Sequence, residues 1–199
     1  MGSKEKILKN IAAAKANEKP LPELKKNQGG SGNYVEEFLA VLEKIGGKGV
    51  QVKDWAAIGQ YVLQNFSASG RILSTIPELP WFSPQLAVDP HAFENVDLAI
   101  LKGHFGVAEN GAVWITNNLM GDRAIPFISQ HLAFVINKQD IVPTLQDAYE
   151  RIDYDPYDYG TFIAGPSKTA DIEQSLVLGA HGPKSMLVFL MAGELLPKS

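Results

Sequence analysis

Apolar segments that alternate between strand spacing and helix spacing constrain the fold of this chain more than any other feature. Short apolar runs typical of strands lie at residues 50–52, 71–73, 97–101 and 131–136. Helical stripes cover Tyr34 to Ile45, the segment after Asp54, and Val142 to Arg151. Asp54 is predicted to cap a helix whose core face is formed by Trp55, Ile58, Val62, Leu63 and Phe66. The alternation predicts an α/β fold in which helices flank a mostly parallel sheet.

A change in composition near residue 33 divides the chain into two parts. Lys4 to Asn17 has apolar residues at helical spacing, and the segment that follows is rich in Pro, Gly and Lys. Such a segment has few apolar side chains to bury, so it is predicted to be a flexible linker. We therefore expect an N-terminal helix and linker at 1–33 and one folded domain at 34–199.

The net charge of −4 combines a basic N-terminal part with an acidic body. Residues 1–27 contain seven Lys and three Glu, which leaves 11 Lys or Arg against 19 Asp or Glu in the rest. Nucleic-acid-binding proteins usually show a basic face with stacking aromatic residues or a known module, and we find neither beyond the short basic tail. No apolar run approaches the about 20 residues that cross a bilayer, and the N-terminus lacks the apolar core of a signal peptide. We expect a cytoplasmic protein that binds neither nucleic acid nor membrane.

The sequence contains no cysteine. This chain therefore supplies no thiolate to an iron–sulfur cluster or a structural zinc, and any electron transfer needs a partner. The histidines lack the spacing of a metal site; they are His91, His104, His131 and His181. We expect no cofactor and no metal to be bound by this chain itself.

The segment GHFGVAENGAVWIT interrupts the alternation of strand and helix. Its two arms of alternating apolar residues flank Asn110-Gly111, and Asn-Gly is the strongest short signal for a β-hairpin. The hairpin alone accounts for Asn110 as well as a functional role does. Glu109 is harder to explain by the turn, because it lies at the tip beside backbone N–H groups.

The segment GPSKT follows the predicted strand YGTFIA and concentrates polar groups at a sharp turn. It lacks the glycine and lysine spacing of a phosphate-binding P-loop. Gly165 and Pro166 form the turn, and Ser167, Lys168 and Thr169 are predicted to start a helix near Ala170, where a cation and N–H groups hold an anion. In the alternative interpretation, Ser167 or Thr169 only caps that helix.

Two further polar groups follow in the same region. Asp171 and Glu173 are two residues apart, so on a helix they point about 200° from each other and at most one faces a site. His181 lies in the turn LGAHGP, where the neighbouring glycines leave room for a ligand and its ordinary pKa suits proton transfer. The alternative is a histidine that only makes a hydrogen bond within the loop.

The run AGPSKTADIEQSLVLGAHGP, with the apolar strand after it, resembles the signature of the lactate utilization protein C family, also called the LUD domain. The family pattern G-P-S-[RK]-T-A-D-I-E followed by G-x-H-G-P is matched throughout. Lys168 stands where arginine is usual, which keeps the charge and loses the planar fork. The hairpin is similar to a second family segment, in which Glu109 and Gly111 are kept while Asn110 and Ala112 replace threonines.

This resemblance implies a fold like that of ribose-5-phosphate isomerase and the CoA transferases. It also implies membership of a system that oxidises L-lactate to pyruvate, with iron–sulfur clusters in partner subunits. We expect this chain to be the non-redox subunit; the alternatives are a stand-alone isomerase-like or CoA-transferase-like enzyme and a regulatory module that binds a small anionic ligand. The expected catalytic residues are Glu109 and His181, and we expect Glu109, Lys168 and His181 to converge on one cleft. The expected ligand-binding residues are Gly111, Gly165, Pro166, Ser167, Lys168, Thr169, Asp171, Glu173 and Gly182.

Overall fold

The computed structural model describes residues 2–14, 32–66, 70–82, 93–152, 157–172 and 175–192. Helix α1 (Ser3–Ala13) confirms most of the predicted N-terminal helix, and all of its residues are exposed. Residues 15–31, which include most of the predicted linker, lie outside the described residues, so the boundary at residue 33 stays a prediction. Within the described ranges, no helix is both long enough and apolar enough to cross a membrane.

Five parallel strands form the central sheet, as the alternation of strand and helix predicted. In chain order they are β1 (Lys48–Val52), β2 (Ile72–Ser74), β3 (Leu98–Lys102), β6 (His131–Asn137) and β11 (Ser185–Met191). Their order across the sheet is β1-β11-β6-β3-β2. Because every pair is parallel, all carboxyl ends lie at one edge, the carboxyl edge, and all amino ends at the opposite amino edge.

Both faces of the central sheet are buried, as is usual for parallel sheets. Alternate residues of β3, β6 and β11 face opposite ways: Leu101 and Phe134 belong to one apolar cluster, and Ile100 and Val135 belong to the other. Phe38 and Leu42 of helix α2 (Tyr34–Lys44) pack in the first cluster.

Helix α3 (Trp55–Asn65) covers the second face of the sheet. Asp54 caps it as predicted, because its carboxylate accepts a hydrogen bond of 2.8 Å from the Ala57 N–H. Ile58 and Val62 are fully buried. The placement of Leu63 in the core was wrong, since Leu63 is 66% exposed. It follows Val62 on the helix and therefore points about 100° away from that buried residue.

A second sheet packs on the α2 side, in the order β7 (Ile141–Val142), β4 (Phe105–Val107), β5 (Ala112–Thr116), β8 (Gly160–Ile163). Strands β4 and β5 confirm the predicted hairpin, in which Gly111 adopts a φ of +68° and Asn110 Oδ1 accepts a hydrogen bond of 3.0 Å from the Ala112 N–H. Two short helices, α4 (Asn117–Met120) and α5 (Ile125–Ile128), follow β5. The helix predicted from Val142 begins later, as α6 (Leu145–Arg151). Val142 belongs to β7 and pairs with β4 instead, and Thr144 caps α6.

The helix predicted near Ala170 was wrong. Residues Lys168–Ile172 form strand β9, which pairs antiparallel with β10 (Ser175–Leu178) in a two-stranded sheet. Lys168 is the partner of Leu178, and Thr169 is the partner of Val177. Thr, Ile and Val are β-branched residues that favour strands, and their preference prevails over the capping potential of Ser167 and Thr169.

Candidate functional site

The two halves of the signature segment contact each other at the amino edge of the central sheet. The Ser167 N–H donates a hydrogen bond of 2.9 Å to the Pro183 carbonyl oxygen, and the Gly179 N–H donates one of 3.0 Å to the Ser167 carbonyl oxygen. Pro183 comes two residues before β11, which places these loops at the amino ends of the strands. Ligands of open α/β sheets usually bind at the other edge.

The end of α2 joins the signature loops to the hairpin. A Cβ atom at Gly165 would lie 3.0 Å from the Ile45 carbonyl oxygen, and one at Gly111 would lie 3.1 Å from Ile45 Cδ1. Next to Ile45, a Cβ atom at Gly46 would lie 3.5 Å from Lys168 Nζ. The structure thus gathers several of the predicted ligand-binding residues around one helix end: Gly111, Gly165, Pro166, Ser167, Lys168 and Gly182.

The predicted anion site lacks the helix N-terminus that was expected to form part of it. With β9 in place of a helix, the helix N-terminus expected beside Lys168 does not exist. The Ser167 N–H already donates its hydrogen bond to the Pro183 carbonyl oxygen, so it is not available to an anion. The Lys168 side chain is exposed, so any anion that it binds meets a solvated ammonium group and no helix dipole.

The Glu109 carboxylate supports helix α6. Its Oε2 accepts a hydrogen bond of 2.8 Å from the Leu145 N–H, and the Glu109 N–H donates one of 3.0 Å to the Pro143 carbonyl oxygen. Leu145 is the first residue of α6, where N–H groups lack partners within the helix and a negative charge is favourable. A carboxylate at the hairpin tip therefore stabilises the start of α6, which explains Glu109 without a catalytic role.

The remaining predicted site residues are less constrained. His181 is exposed in the turn before β11. Thr169 and Asp171 lie in β9, and Glu173 falls outside the described residues, as does the side chain of Asp171. Their roles, and the expectation that Glu109, Lys168 and His181 share one cleft, stay predictions.

A cavity of about 280 Å³ lies at the carboxyl edge of the central sheet, on the α3 side. It lies beside the ends of β2 and β3 and the start of α3. Its lining is mainly apolar with four polar side chains, and consists of Trp55, Thr75, Ile76, Pro77, Glu78, Lys102, Asn118 and Leu119. Glu109, Lys168 and His181 do not line it. We call it the edge cavity.

Lys102 is the cationic residue of the edge cavity. It is the last residue of β3, two positions after Ile100, so it projects from the same face of the sheet toward α3. Partial burial lowers its pKa, while the carboxylates of Glu78 and Asp140 oppose that shift. Among the described residues, no hydrogen bond or ion pair of 4.0 Å or less holds its ammonium group.

A polar cluster continues along the carboxyl edge next to Lys102. Asp140 forms an ion pair with Arg151 and accepts a hydrogen bond of 3.0 Å from Asn137 Nδ2. The Asn137 Oδ1 atom is buried and has no hydrogen-bond partner among the described residues. Arg151 therefore neutralises Asp140, which leaves Glu78 as the carboxylate that shares the edge cavity with Lys102.

His104 lies just beyond β3 and shares a hydrogen bond of 2.8 Å between its Nε2 and Thr116 Oγ1. Desolvation lowers the pKa of His104, and the positive charges of Lys102 and Arg151 lower it further. The imidazole is therefore neutral at pH 7, and it can exchange roles with Thr116 as donor or acceptor.

No sequence pattern predicted the residues of the edge cavity as a site. One available signal was Lys102 itself, a charged residue at the end of the apolar run Leu98 to Leu101, where a parallel strand meets its carboxyl edge. Among the described residues, no three His, Asp or Glu side chains gather in a way that could hold a metal ion.

Comparison with known proteins places these features in a family. The LUD domain model matches residues 74–191. Lactate utilization protein C of Oceanobacillus iheyensis is 32% identical over 97 residues, which are 45% of this chain and 41% of that protein. Lactate utilization protein C of Anoxybacillus flavithermus is 36% identical over 93 residues, which are 46% of this chain and 42% of that protein. These alignments span less than half the length of either relative.

A solved structure supports the fold. The crystal structure of a DUF162 family protein from Deinococcus radiodurans superimposes with a TM-score of 0.59 at 16% identity, covering 80% of this chain and 96% of that one. At this identity the likeness shows a shared α/β fold alone. The family model covers more than half of the chain, including β3, β6 and β11 of the central sheet, the hairpin and the signature loops. The chain belongs to the LUD domain family.

Proposed function

We propose that this chain acts in lactate utilization, as a subunit without its own redox centre in a cytoplasmic system that oxidises L-lactate to pyruvate. The observation that carries the proposal is the similarity to relatives named lactate utilization protein C, at 32% and 36% identity. In this proposal, iron–sulfur clusters reside in partner subunits, because the 199 residues contain no cysteine to supply thiolate ligands. This chain contributes binding of a small anionic ligand.

The arrangement around Glu109 gives less support to a stand-alone isomerase-like or CoA-transferase-like enzyme. A general base or nucleophile needs a carboxylate that reaches the reacting atom. The Glu109 carboxylate is already bonded to the N-terminus of α6.

Gene deletion and co-purification test the proposal. In the native host, deletion should abolish or slow growth on L-lactate and leave growth on glucose unchanged. The tagged full chain, purified from cells grown on L-lactate, should bring with it proteins that contain iron and acid-labile sulfide. Unimpaired growth on L-lactate together with a chain that purifies alone would refute the proposal.

A further inference from the structure

The edge cavity has the size and lining of a small-molecule site. Its volume of about 280 Å³ is close to the lower end of the range of about 300–1,000 Å³ usual for ligand pockets, which restricts the ligand to a small molecule. Such sites combine an apolar lining with a few polar groups that orient the ligand. Here Trp55, Ile76 and Leu119 supply apolar contact, and Lys102 and Glu78 supply opposite charges.

Lys102 is suited to a carboxylate. A half-buried ammonium group without a hydrogen bond or ion pair among the described residues gains from an anionic partner. Glu78 and Asp140 are both near enough to influence its charge, but among the described residues neither forms an ion pair with it, and Asp140 is bonded to Arg151 and Asn137. A second negative charge on the ligand would face Glu78, so a ligand with a single carboxylate fits better than a phosphate ester or a dicarboxylate.

The Glu78 carboxylate favours a ligand that carries a hydrogen-bond donor. An ionised carboxylate only accepts hydrogen bonds, so the ligand needs an O–H or N–H group near its own carboxylate. A 2-hydroxy acid provides one in a molecule small enough for the cavity. A 2-oxo acid presents a carbonyl oxygen there instead, which Glu78 repels. A 2-amino acid also offers a donor, and its ammonium group would pair with Glu78, but the full charge must lose its hydration on entering a mainly apolar cavity.

We propose that the edge cavity binds a small 2-hydroxy monocarboxylic acid, with its carboxylate on Lys102, its hydroxyl donating to Glu78 and its apolar part against Trp55 and Ile76. The inference rests on the proposed function for the choice of a hydroxyl over an ammonium group and of L-lactate as the first probe. It assigns the ligand to the carboxyl edge of the sheet and not to the signature loops at the amino edge.

Calorimetric titration of the full chain at pH 7 with L-lactate, propionate, pyruvate and L-alanine tests the proposal. L-lactate should bind most tightly, about tenfold or more above propionate, because a site built to bond a hydroxyl rejects an analogue that lacks it. Lys102→Met should weaken L-lactate about 10-fold to 100-fold, as expected for loss of a charged hydrogen-bond partner. Lys53→Met is the matched control, since Lys53 is an exposed lysine that follows β1 at the same edge and does not line the cavity.

Glu78→Met separates the role of the hydroxyl from that of the carboxylate, because methionine removes both the negative charge and the acceptor oxygens of Glu78. Removal of the negative charge should strengthen propionate binding, and the preference for L-lactate over propionate should fall toward 1. The proposal is overturned if none of the four acids binds, if L-alanine or pyruvate binds more tightly than L-lactate, or if Lys102→Met and Lys53→Met bind L-lactate equally well. An unchanged preference in Glu78→Met refutes the assigned role of Glu78.

A measurement on the unaltered protein covers the case in which Lys102→Met does not fold. Acetylation of Lys102 and Lys53, followed by peptide mass spectrometry, should be slowed by L-lactate at Lys102 and unaffected at Lys53. Equal rates at Lys102 with and without L-lactate contradict the proposal. If deletion leaves growth on L-lactate intact and the chain purifies alone while Lys102 is protected, the proposed function fails and the cavity assignment stands. Impaired growth together with an unprotected Lys102 rejects the cavity assignment and leaves the proposed function in place.

Discussion

Gly103 lies where the central sheet and the second sheet pack against each other, and Gly103→Ala tests this packing. A Cβ atom there would lie 2.4 Å from Val113 Cγ1 and 2.8 Å from Ile136 Cγ2. Favourable carbon contacts are about 3.5–4.0 Å, so Val113 alone would have to yield by roughly 1 Å. Both neighbours are fully buried side chains of one apolar cluster, which leaves little room for such a movement.

The expected cost follows from that overlap. Overpacking of a buried site typically lowers the free energy of unfolding by about 1–3 kcal/mol. In a domain of this size, 1 kcal/mol shifts the melting temperature by about 2–4 °C. Gly103→Ala should therefore melt about 2–12 °C below the original protein in scanning calorimetry. Gly2→Ala is the control, since nothing lies within 4 Å of a Cβ atom at Gly2.

A double-mutant cycle identifies the overlap as the cause. Val113→Ala removes the methyl group nearest to the new side chain, so the double variant should lose less stability than the two single variants together. Contacting residues usually show a coupling of about 0.5–3 kcal/mol. Effects that add to within about 0.3 kcal/mol, or a Gly103→Ala variant as stable as the original, would refute this account of the interface.

Three further predictions concern stability. Glu109→Ala should lower the free energy of unfolding by about 0.5–2 kcal/mol through loss of the hydrogen bond at the start of α6, while Glu109→Gln keeps an acceptor and should lose less in urea titrations. Asp54→Ala should cost about 1 kcal/mol and Asp54→Asn much less, because asparagine also caps helices; equal losses would contradict the cap. His104 and His131 have lowered pKa values in the folded protein, mainly through burial, so the unfolded chain binds protons first and stability should fall as the pH drops below about 6.5. The decline in urea midpoint between pH 7.5 and 5.5 should shrink in a variant with both histidines changed to Gln, and an unchanged decline would exclude them as its source.

Local sequence patterns predicted the elements whose conformation depends on neighbouring residues. The Asn110-Gly111 turn forms because it needs a backbone conformation that Gly adopts readily, and the cap at Asp54 forms because its carboxylate reaches an N–H three residues on. The same reasoning failed at Ser167 to Thr169. Hydroxyl groups there are compatible with a helix start, and pairing with Leu178 and Val177, eight to ten residues away, produced a strand instead.

Local sequence patterns could not predict where in the fold each candidate site lies. Signature residues such as Lys168 and His181 are polar, and polarity alone does not say at which edge of a sheet a loop lies. Lys102 ends an apolar run that looks like an ordinary strand, and it lines a cavity only because Trp55, Glu78 and Leu119 arrive there from three other segments.

The α/β class, the hairpin, the family and the absence of thiolate ligands in these 199 residues could all be read from the amino-acid sequence. These properties depend on residue identity and on periodicity over a few positions. The folded structure was needed to learn that the signature loops lie at the amino edge of the central sheet, while Lys102 and Glu78 share a cavity at the carboxyl edge. The physical reason is the strand order β1-β11-β6-β3-β2, in which long-range parallel pairing brings distant segments together and sorts every loop to one edge or the other.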